Sequence, residues 1–443
     1  VEMFIPYSAL RFPSKPIQEW NINFYRSVRC KREVSSWNPL NPEISGEFNQ
    51  FGVLKGIKNI STPTRLSITP FLATSITNNG FNKDFFSTRS LSGGLDLKYG
   101  INDAFTLDMT LIPDFSGVRS DNQVLNLSPF EVRFDENRQF FTEGVQLFNK
   151  AGLFYSRRIG RAFGNVTGDI ADNEEITISP QAAQLINATK VTGRTNGGLG
   201  IGFFNAVTDK TFVTVEDSET GATREVEADP MTNFNVLVLD QNLKNNSSLT
   251  FTNTSVLRAK DADDANVSGI NFRLHDRELR WRMSGFGGYS QTLSKNSETG
   301  STDIASGFKY NFNLAKVSGK WRYGLSRNVE SDTYEINDLG FLRRANNVEN
   351  QLNLEYQQFR PQGWFNNYRL RMEVEHRELY KPNQFADLEL KLNANGQLKN
   401  FWFMWVDIGF KPRTQNDFFE ARVDDYVFKR PSRHSYSLNV FSV

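Results

Sequence analysis

A period of two runs through most of this chain. Leu91, Gly93, Leu95, Leu97, Tyr99 form one run, and Trp402, Met404, Val406, Ile408, Phe410 another. The positions between such apolar residues are polar: Arg369, Arg371, Glu373, Glu375 in one segment, Glu389, Lys391, Asn393 in the next. Successive side chains of a strand point to opposite faces, so each segment reads as a strand with one apolar and one polar face. Each run spans about 9–14 residues, the length a tilted strand needs to cross a bilayer. A soluble β-sandwich alternates in the same way. The connections separate the two cases. Short turns near Asn102-Asp103, Thr195-Asn196-Gly197, Lys244-Asn245-Asn246 and Asp276-Arg277-Glu278 take turns with long segments such as Asp209–Thr232 and Asn328–Asn347. Short turns at one rim and long loops at the other are the pattern of an outer-membrane barrel.

The expected fold is therefore all-β: a large antiparallel up-and-down transmembrane β-barrel of about 17 or more strands. Residues 46–443 form it, and residues 1–45 read as the end of a β-sandwich plus a linker through Ser35-Ser36-Trp37-Asn38-Pro39. Lys and Arg number 51 against 50 Asp and Glu, a balance that argues against nucleic acid as a partner. One cysteine, Cys30, excludes an internal disulfide framework, and three histidines (His275, His376, His434) make a His-rich metal centre unexpected. No apolar run of about 18 residues offers a transmembrane helix.

The alternation stops between Pro113 and Gly160, within an insert taken as residues 113–182. Acids and arginines crowd there: Arg133, Asp135, Glu136, Arg138, Glu143, Arg157, Arg158 and Arg161, with Glu131 beside them. Seven aromatics, from Phe130 to Tyr155, lie between them. So many charges beside so many phenylalanines need oppositely charged partners to leave water. The insert is expected to fold into the barrel lumen, with Asp135, Glu136 and Glu143 paired to Arg133, Arg138, Arg157, Arg158 or arginines of the wall.

The stretch from Leu97 to Gly160, containing LIPDFSGVRSDNQVLNLSPFEVRFDENRQFF and GLFYSRRIG, resembles the signature of a Bacteroidota outer-membrane family. Its members join an N-terminal domain similar to family-nine carbohydrate-binding modules to a large β-barrel of unassigned function. VEMFIPYSALRF, EWNINFYRSVR and SSWNP resemble the tail of that domain. The resemblance implies that this chain is a fragment of an outer-membrane channel or transport/assembly component with a sugar-binding-like periplasmic module, of which only the tail is expected here. It implies outer-membrane lipid, glycans or other small solutes, and other outer-membrane proteins as partners.

The charged insert has three readings. It is a salt-bridge network that plugs a scaffold, a constriction that selects solutes, or a carboxylate pair for glycan hydrolysis. Hydrolysis needs two carboxyls about 5–9.5 Å apart with one kept protonated, and neighbouring arginines disfavour the protonated form. Asp114, Asp121, Asn122 and Asp135 offer oxygens for Ca²⁺, but their spacing is not that of an EF-hand and turn roles account for them equally. GGLGIG at 197–202 lies in an alternating strand, so it reads as a strand of small residues and not as a phosphate loop. No cofactor or metal is expected. Trp281, Trp321, Trp364, Trp402 and Trp405 read as interfacial girdles more readily than as sugar platforms.

Overall fold

The computed structural model describes residues 2–7, 10, 12, 15–31, 33–60, 65–79, 86–113, 115, 121–161, 170–180, 182–295, 300–423 and 426–442. Its strands in chain order are β1 (Ile17–Ile22), β2 (Tyr25–Val28), β3 (Glu33–Ser36), β4 (Gly52–Lys58), β5 (Leu66–Asn79), β6 (Phe86–Gly100), β7 (Phe105–Leu111), β8 (Glu174–Ile178), β9 (Leu185–Arg194), β10 (Leu199–Thr208), β11 (Thr211–Asp217), β12 (Thr223–Asp229), β13 (Thr232–Leu243), β14 (Ser247–Arg258), β15 (Asp264–His275), β16 (Trp281–Lys295), β17 (Thr302–Lys316), β18 (Trp321–Glu330), β19 (Asn347–Gln358), β20 (Phe365–Glu378), β21 (Phe385–Leu398), β22 (Phe403–Lys411), β23 (Gln415–Asp417), β24 (Phe428–Arg430) and β25 (Arg433–Phe441). One short helix, α1 (Gln139–Thr142), lies in the insert.

Sixteen strands form one antiparallel up-and-down sheet: β5, β6, β7, β9, β10, β13 to β22, then β25. The strands left out form smaller sheets. β11 pairs with β12 and β8 in a sheet of three, β23 pairs with β24, β1 with β4 and β2 with β3. The segment between Asp209 and Thr232, expected as a loop, thus carries its own hairpin. Its buried Val213, Val215 and Val226 form a small separate core.

Short and long connections alternate over much of the sheet and even out at β14 to β16 and β19 to β21. At one rim β13 turns into β14 through Lys244-Asn245-Asn246, where Asn245 and Asn246 have φ of 56° and 55°. Positive φ at two successive residues is the twist that lets a two-residue hairpin join right-twisted strands, and Asn tolerates it. β7 to β9, β10 to β13, β18 to β19 and β22 to β25 are joined by long segments at the other rim.

The sheet is rolled, because one segment touches widely separated parts of it. The insert between β7 and β9 contacts β6 through Glu143–Lys98 at 2.7 Å and β13 through Lys150–Asp240 at 2.6 Å. It also reaches the loop after β18, where Tyr155 N donates to Leu339 O at 2.7 Å, and the loop after β22, where Phe130 and Phe419 rings lie 6.0 Å apart. A flat sheet cannot bring β6 and the segment after β22 to one segment. The insert therefore packs against the inner side of the rolled sheet. β5 and β25 are the two edges of the sheet, and the described residues include no ladder between them.

Face assignment follows from the insert. On β13 the residues turned to it, Phe234, Val236 and Val238, are buried, while Leu237 and Leu239 on the other face are 37% exposed. On β20 to β22, Leu370, Met372, Leu392, Val406 and Ile408 share the outer face, and Arg371, Glu373, Glu375, Lys391 and Asp407 share the inner one. Aromatic pairs gather on the outer face at the short-turn rim: Trp281 with Tyr323 at 5.6 Å, Trp321 with Tyr356 at 4.9 Å, Tyr356 with Tyr368 at 6.0 Å. Trp405 departs from that group. It alternates with Met404 and Val406, and so stands on the inner face with Asp407.

The N-terminal residues sit at the short-turn rim. Gly319 N donates to Glu43 O at 2.8 Å, Arg322 to Pro42 O at 2.9 Å, and Ser45 N to Ser318 Oγ at 3.1 Å.

Candidate functional site

The insert has little regular backbone: α1 is one turn, and Ser156–Arg158 adds a 3₁₀ turn. Side chains hold it instead. Tyr155 Oη accepts from Phe134 N at 3.1 Å and donates to Phe134 O at 2.9 Å, closing one part of the loop on another. Gly160 O accepts from Ala183 N at 2.9 Å and ties the insert to the chain entering β9.

Its phenylalanines face the wall. Phe141, Phe148 and Phe154 are buried, each ring within 5.3–6.1 Å of Phe204 on β10. The glycines of GGLGIG explain how they fit. A Cβ at Gly202 would come within 3.1 Å of the Phe148 ring, so the close approach depends on the missing side chain. Burying one such phenylalanine contributes about 2–3 kcal/mol. The inner face of β9, β10 and β13 to β15 is accordingly dry, with Leu185, Ala188, Ala206, Val236 and Val256 in the same cluster.

Charges lie at the margins of this apolar contact. Arg138, 9% exposed, donates to Glu136 from Nε at 2.9 Å and Nη2 at 2.7 Å, and to the carbonyls of Ile159 and Ser156 at 3.0 and 2.8 Å. Its guanidinium also covers the Phe141 ring at 4.2 Å. Glu136 accepts further from Ser156 Oγ at 2.7 Å. Burial would raise the Glu136 carboxyl, but the Arg138 and Ser156 hydrogen bonds outweigh it and hold the group below its ordinary value.

Arg158 is 5% exposed and meets Glu131 with two parallel hydrogen bonds, while its Nε donates to Gly340 O at 3.0 Å. Arg161 shares Glu131 at 2.8 Å. Burial pushes against ionisation of Glu131 too, and its two arginines prevail, so it also lies low. Arg157 pairs with Asp121 and donates to the backbone carbonyl of Asp135. Arg133 stacks over Tyr155 and Phe341, 5.4 and 5.6 Å from the ring centres. Glu143 pairs with Lys98 of β6 at 2.7 Å, and with Gln139 at 3.0 Å; those hydrogen bonds lower its pKa.

The acids and arginines named from the sequence thus share one region, but several partners lie elsewhere. Asp121 lies within the insert, whereas Lys98 of β6 and Asn337 of the loop after β18 come from distant positions. So does Lys190 of β9, which donates to the carbonyls of Phe140 and Glu143. Asp240 of β13, fully buried, takes Lys150 of the insert and Arg194 of β9, and accepts from Thr250 Oγ1 at 2.7 Å. In sequence Lys98, Lys190 and Asp240 are ordinary inward members of alternating strands, and nothing local marks them as partners of the insert.

Among the described residues no group of three or more His, Cys, Asp or Glu side chains is arranged to hold a metal ion. Asp114 of the proposed oxygen set, with residues 116–120 and 162–169 of the insert, lies outside the described residues.

Two cavities border the insert, one against β5 to β7 and one between the insert, Ser92 of β6 and the entry to β9. One of about 410 Å³ is bordered by Ser67, Asp96, Lys98, Asp108, Glu143 and Lys190. The other, about 610 Å³, is bordered by Ser92, Phe115, Arg138, Arg157, Arg161 and Gln184. The insert leaves open space against β5 to β7.

No curated protein matches the sequence. The outer-membrane protein OpdK from Pseudomonas aeruginosa is 10% identical, covering 79% of this chain and 84% of its own, with a TM-score of 0.32. OccK9 (OpdG) from the same organism is 11% identical, covering 85% and 96%, with a TM-score of 0.31. A BenF-like porin from Pseudomonas fluorescens Pf-5 is 9% identical, covering 85% and 99%, with a TM-score of 0.29. The model of DUF5916, a domain of unknown function, matches residues 62–442, and the chain belongs to that family.

Proposed function

We propose that this chain forms the wall of an outer-membrane channel and that the insert is its constriction. The observation that carries the reading is the polar-lined cavity between the insert and the inner face of β5 to β7, with a second beside the insert at Ser92 of β6 and the entry to β9. The outward apolar faces and the aromatic rim at the short turns support a bilayer setting, and lipid is the first partner. Charged or sugar solutes of small size would pass the Lys98–Glu143 pair and the arginines at 138, 157 and 161. Residues 1–45 are read as the end of a sugar-binding-like module on the periplasmic side. Glycan hydrolysis is the weaker alternative, because Glu136, Glu131 and Glu143 are all held towards the ionised form, whereas a general acid must keep its proton.

A second reading, a plugged scaffold, draws on the many direct bonds between insert and wall, such as Arg158 to Gly340 O and Lys150 to Asp240. Single-channel recording of the purified protein in planar bilayers separates the two. A channel gives steps in the wild type, and Lys98→Ala with Glu143→Ala changes their ion selectivity. A silent wild type that conducts only in Glu131→Ala with Glu136→Ala is the plug. A wild type whose steps are unmoved by the Lys98 and Glu143 changes removes that pair from the constriction.

A further inference from the structure

The insert leaves the short-turn end of β15 to β20 uncovered, and five arginines stand on that inner face. Across the β15–β16 ladder Arg273 faces Ser284 and Arg282 faces His275, so the two guanidinium groups occupy diagonal neighbouring positions. Arg322 of β18 and Arg369 and Arg371 of β20 continue the band. The carboxylates on these strands there are Glu355, 3.9 Å from Arg322, and Glu373, while Asp276 and Glu278 of the β15–β16 turn pair with Arg280. Among the described residues, no carboxylate lies within 4.0 Å of Arg273, Arg282, Arg369 or Arg371.

The same strands are balanced toward the long loops. There Arg377 meets Glu349 at 3.3 Å and Lys309 meets Glu330 at 2.6 Å. The excess of positive charge is therefore local to the short-turn end. Two of its atoms carry a specific cost: Nε of Arg282 and Nε of Arg369 are buried and have no hydrogen-bond partner. A guanidinium donor withdrawn from water without an acceptor is destabilising. Between Arg282 and Asn353 the ladder carries only Ala315 and Gly324, which leaves room over the strands.

We infer that the short-turn mouth of the lumen is an anion-binding vestibule for small carboxylates or phosphates. Arg273 and Arg282 hold the anion on one side and Arg369 and Arg371 on the other, and anionic oxygens complete their hydrogen bonds. Planar guanidinium groups match carboxylate and phosphate oxygens in geometry. Low-dielectric walls focus the field of such a band into the opening and concentrate anions there. The inference rests on the channel reading for its role in transport, and the binding itself does not.

The test is calorimetric titration of the full chain in detergent at low salt. The probes are inorganic phosphate and succinate, with choline as the cationic control. Saturable binding of both anions and none of choline is expected. Arg273→Gln with Arg282→Gln, and separately Arg369→Gln with Arg371→Gln, each weaken it about tenfold or more. Arg282→Lys keeps the charge and retains most of the binding, with an unchanged β-type circular dichroism spectrum reporting the fold of every variant. No saturable anion binding, or binding unmoved in both double variants, overturns the inference. Bilayer recording of the same preparations keeps the two readings apart. Anion binding without conductance overturns the channel alone, and conductance without anion binding overturns the vestibule alone.

Discussion

Arg158 and Glu131, 27 positions apart, join through hydrogen bonds of 3.0 and 2.7 Å at the point where the insert meets the loop after β18. The arginine is almost fully buried and the glutamate is not, its side chain being 40% exposed. The two substitutions are therefore unequal. Glu131→Gln removes the countercharge and one of the two acceptors of a buried guanidinium, which keeps the amide oxygen, Gly340 O and Asn337, and the expected loss is about 3 kcal/mol. Arg158→Ala leaves a half-exposed carboxylate still held by Arg161, but opens a hole beside Phe341. Urea titrations of both variants, with limited proteolysis of the insert, check this. Equal stability of wild type and Glu131→Gln would sink the claim that this pair anchors the insert.

The apolar anchor is Phe148. Its ring is fully buried against Phe204 and against the bare backbone at Gly202. Phe148→Ala should cost about 3–5 kcal/mol and loosen the insert. Gly202→Val approaches the same contact from the wall by placing a side chain where the ring lies. Both should increase conductance in bilayers if the insert sets the bore. Unchanged currents in two variants shown to be destabilised would mean that solutes pass elsewhere.

Acid should release the insert. Glu136 has a folded pKa below its unfolded value, so its stabilisation is full above the ordinary carboxylate range, about pH 4, and disappears as pH falls through the depressed value. Glu131 and Glu143 shift in the same direction and share that window. Proteolysis of the insert at pH 7 should be slow and should accelerate below about pH 4. Glu136→Gln should flatten part of that dependence. An identical pH profile in wild type and variant would exclude Glu136 as a contributor.

Much of the wall could be read directly, and much of the site could not. Leu388 and Leu390 alternate with Glu389 and Lys391, and the turn at Asn245-Asn246 fixes where one hairpin reverses. Such patterns identify strands and rims without any long-range knowledge. A period of two names two faces but not which one is inside. On β13 both faces are apolar, and Phe234, Val236 and Val238 point inward because the insert, not water, covers them. Trp405 points inward for the same lack of a local signal. The insert's acids and arginines stand out by density, yet Glu143 is completed by Lys98 and Arg158 by Gly340 O. Those partners are set by the roll of the sheet, which no local run of residues encodes.

The outer face makes the sharpest test of the membrane setting. Leu390 lies between Val374 of β20 and Phe410 of β22, all on the apolar side, while Lys391 beside it turns to Glu375 and Glu389 within. If this face meets lipid, Leu390→Lys places an ammonium group in hydrocarbon and should cost about 2–4 kcal/mol at mid-depth. Lys391→Leu changes only the inner face and should cost far less in bilayer insertion, while leaving Glu375 with Arg377 as its remaining partner. Folding into phospholipid vesicles, followed by urea titration, measures both. A spin label at residue 390 should also be accessible to oxygen and shielded from a polar nickel reagent, with the reverse at residue 391. Equal tolerance of the two substitutions, with equal accessibilities at the two sites, would remove lipid from the outer face and with it the channel reading.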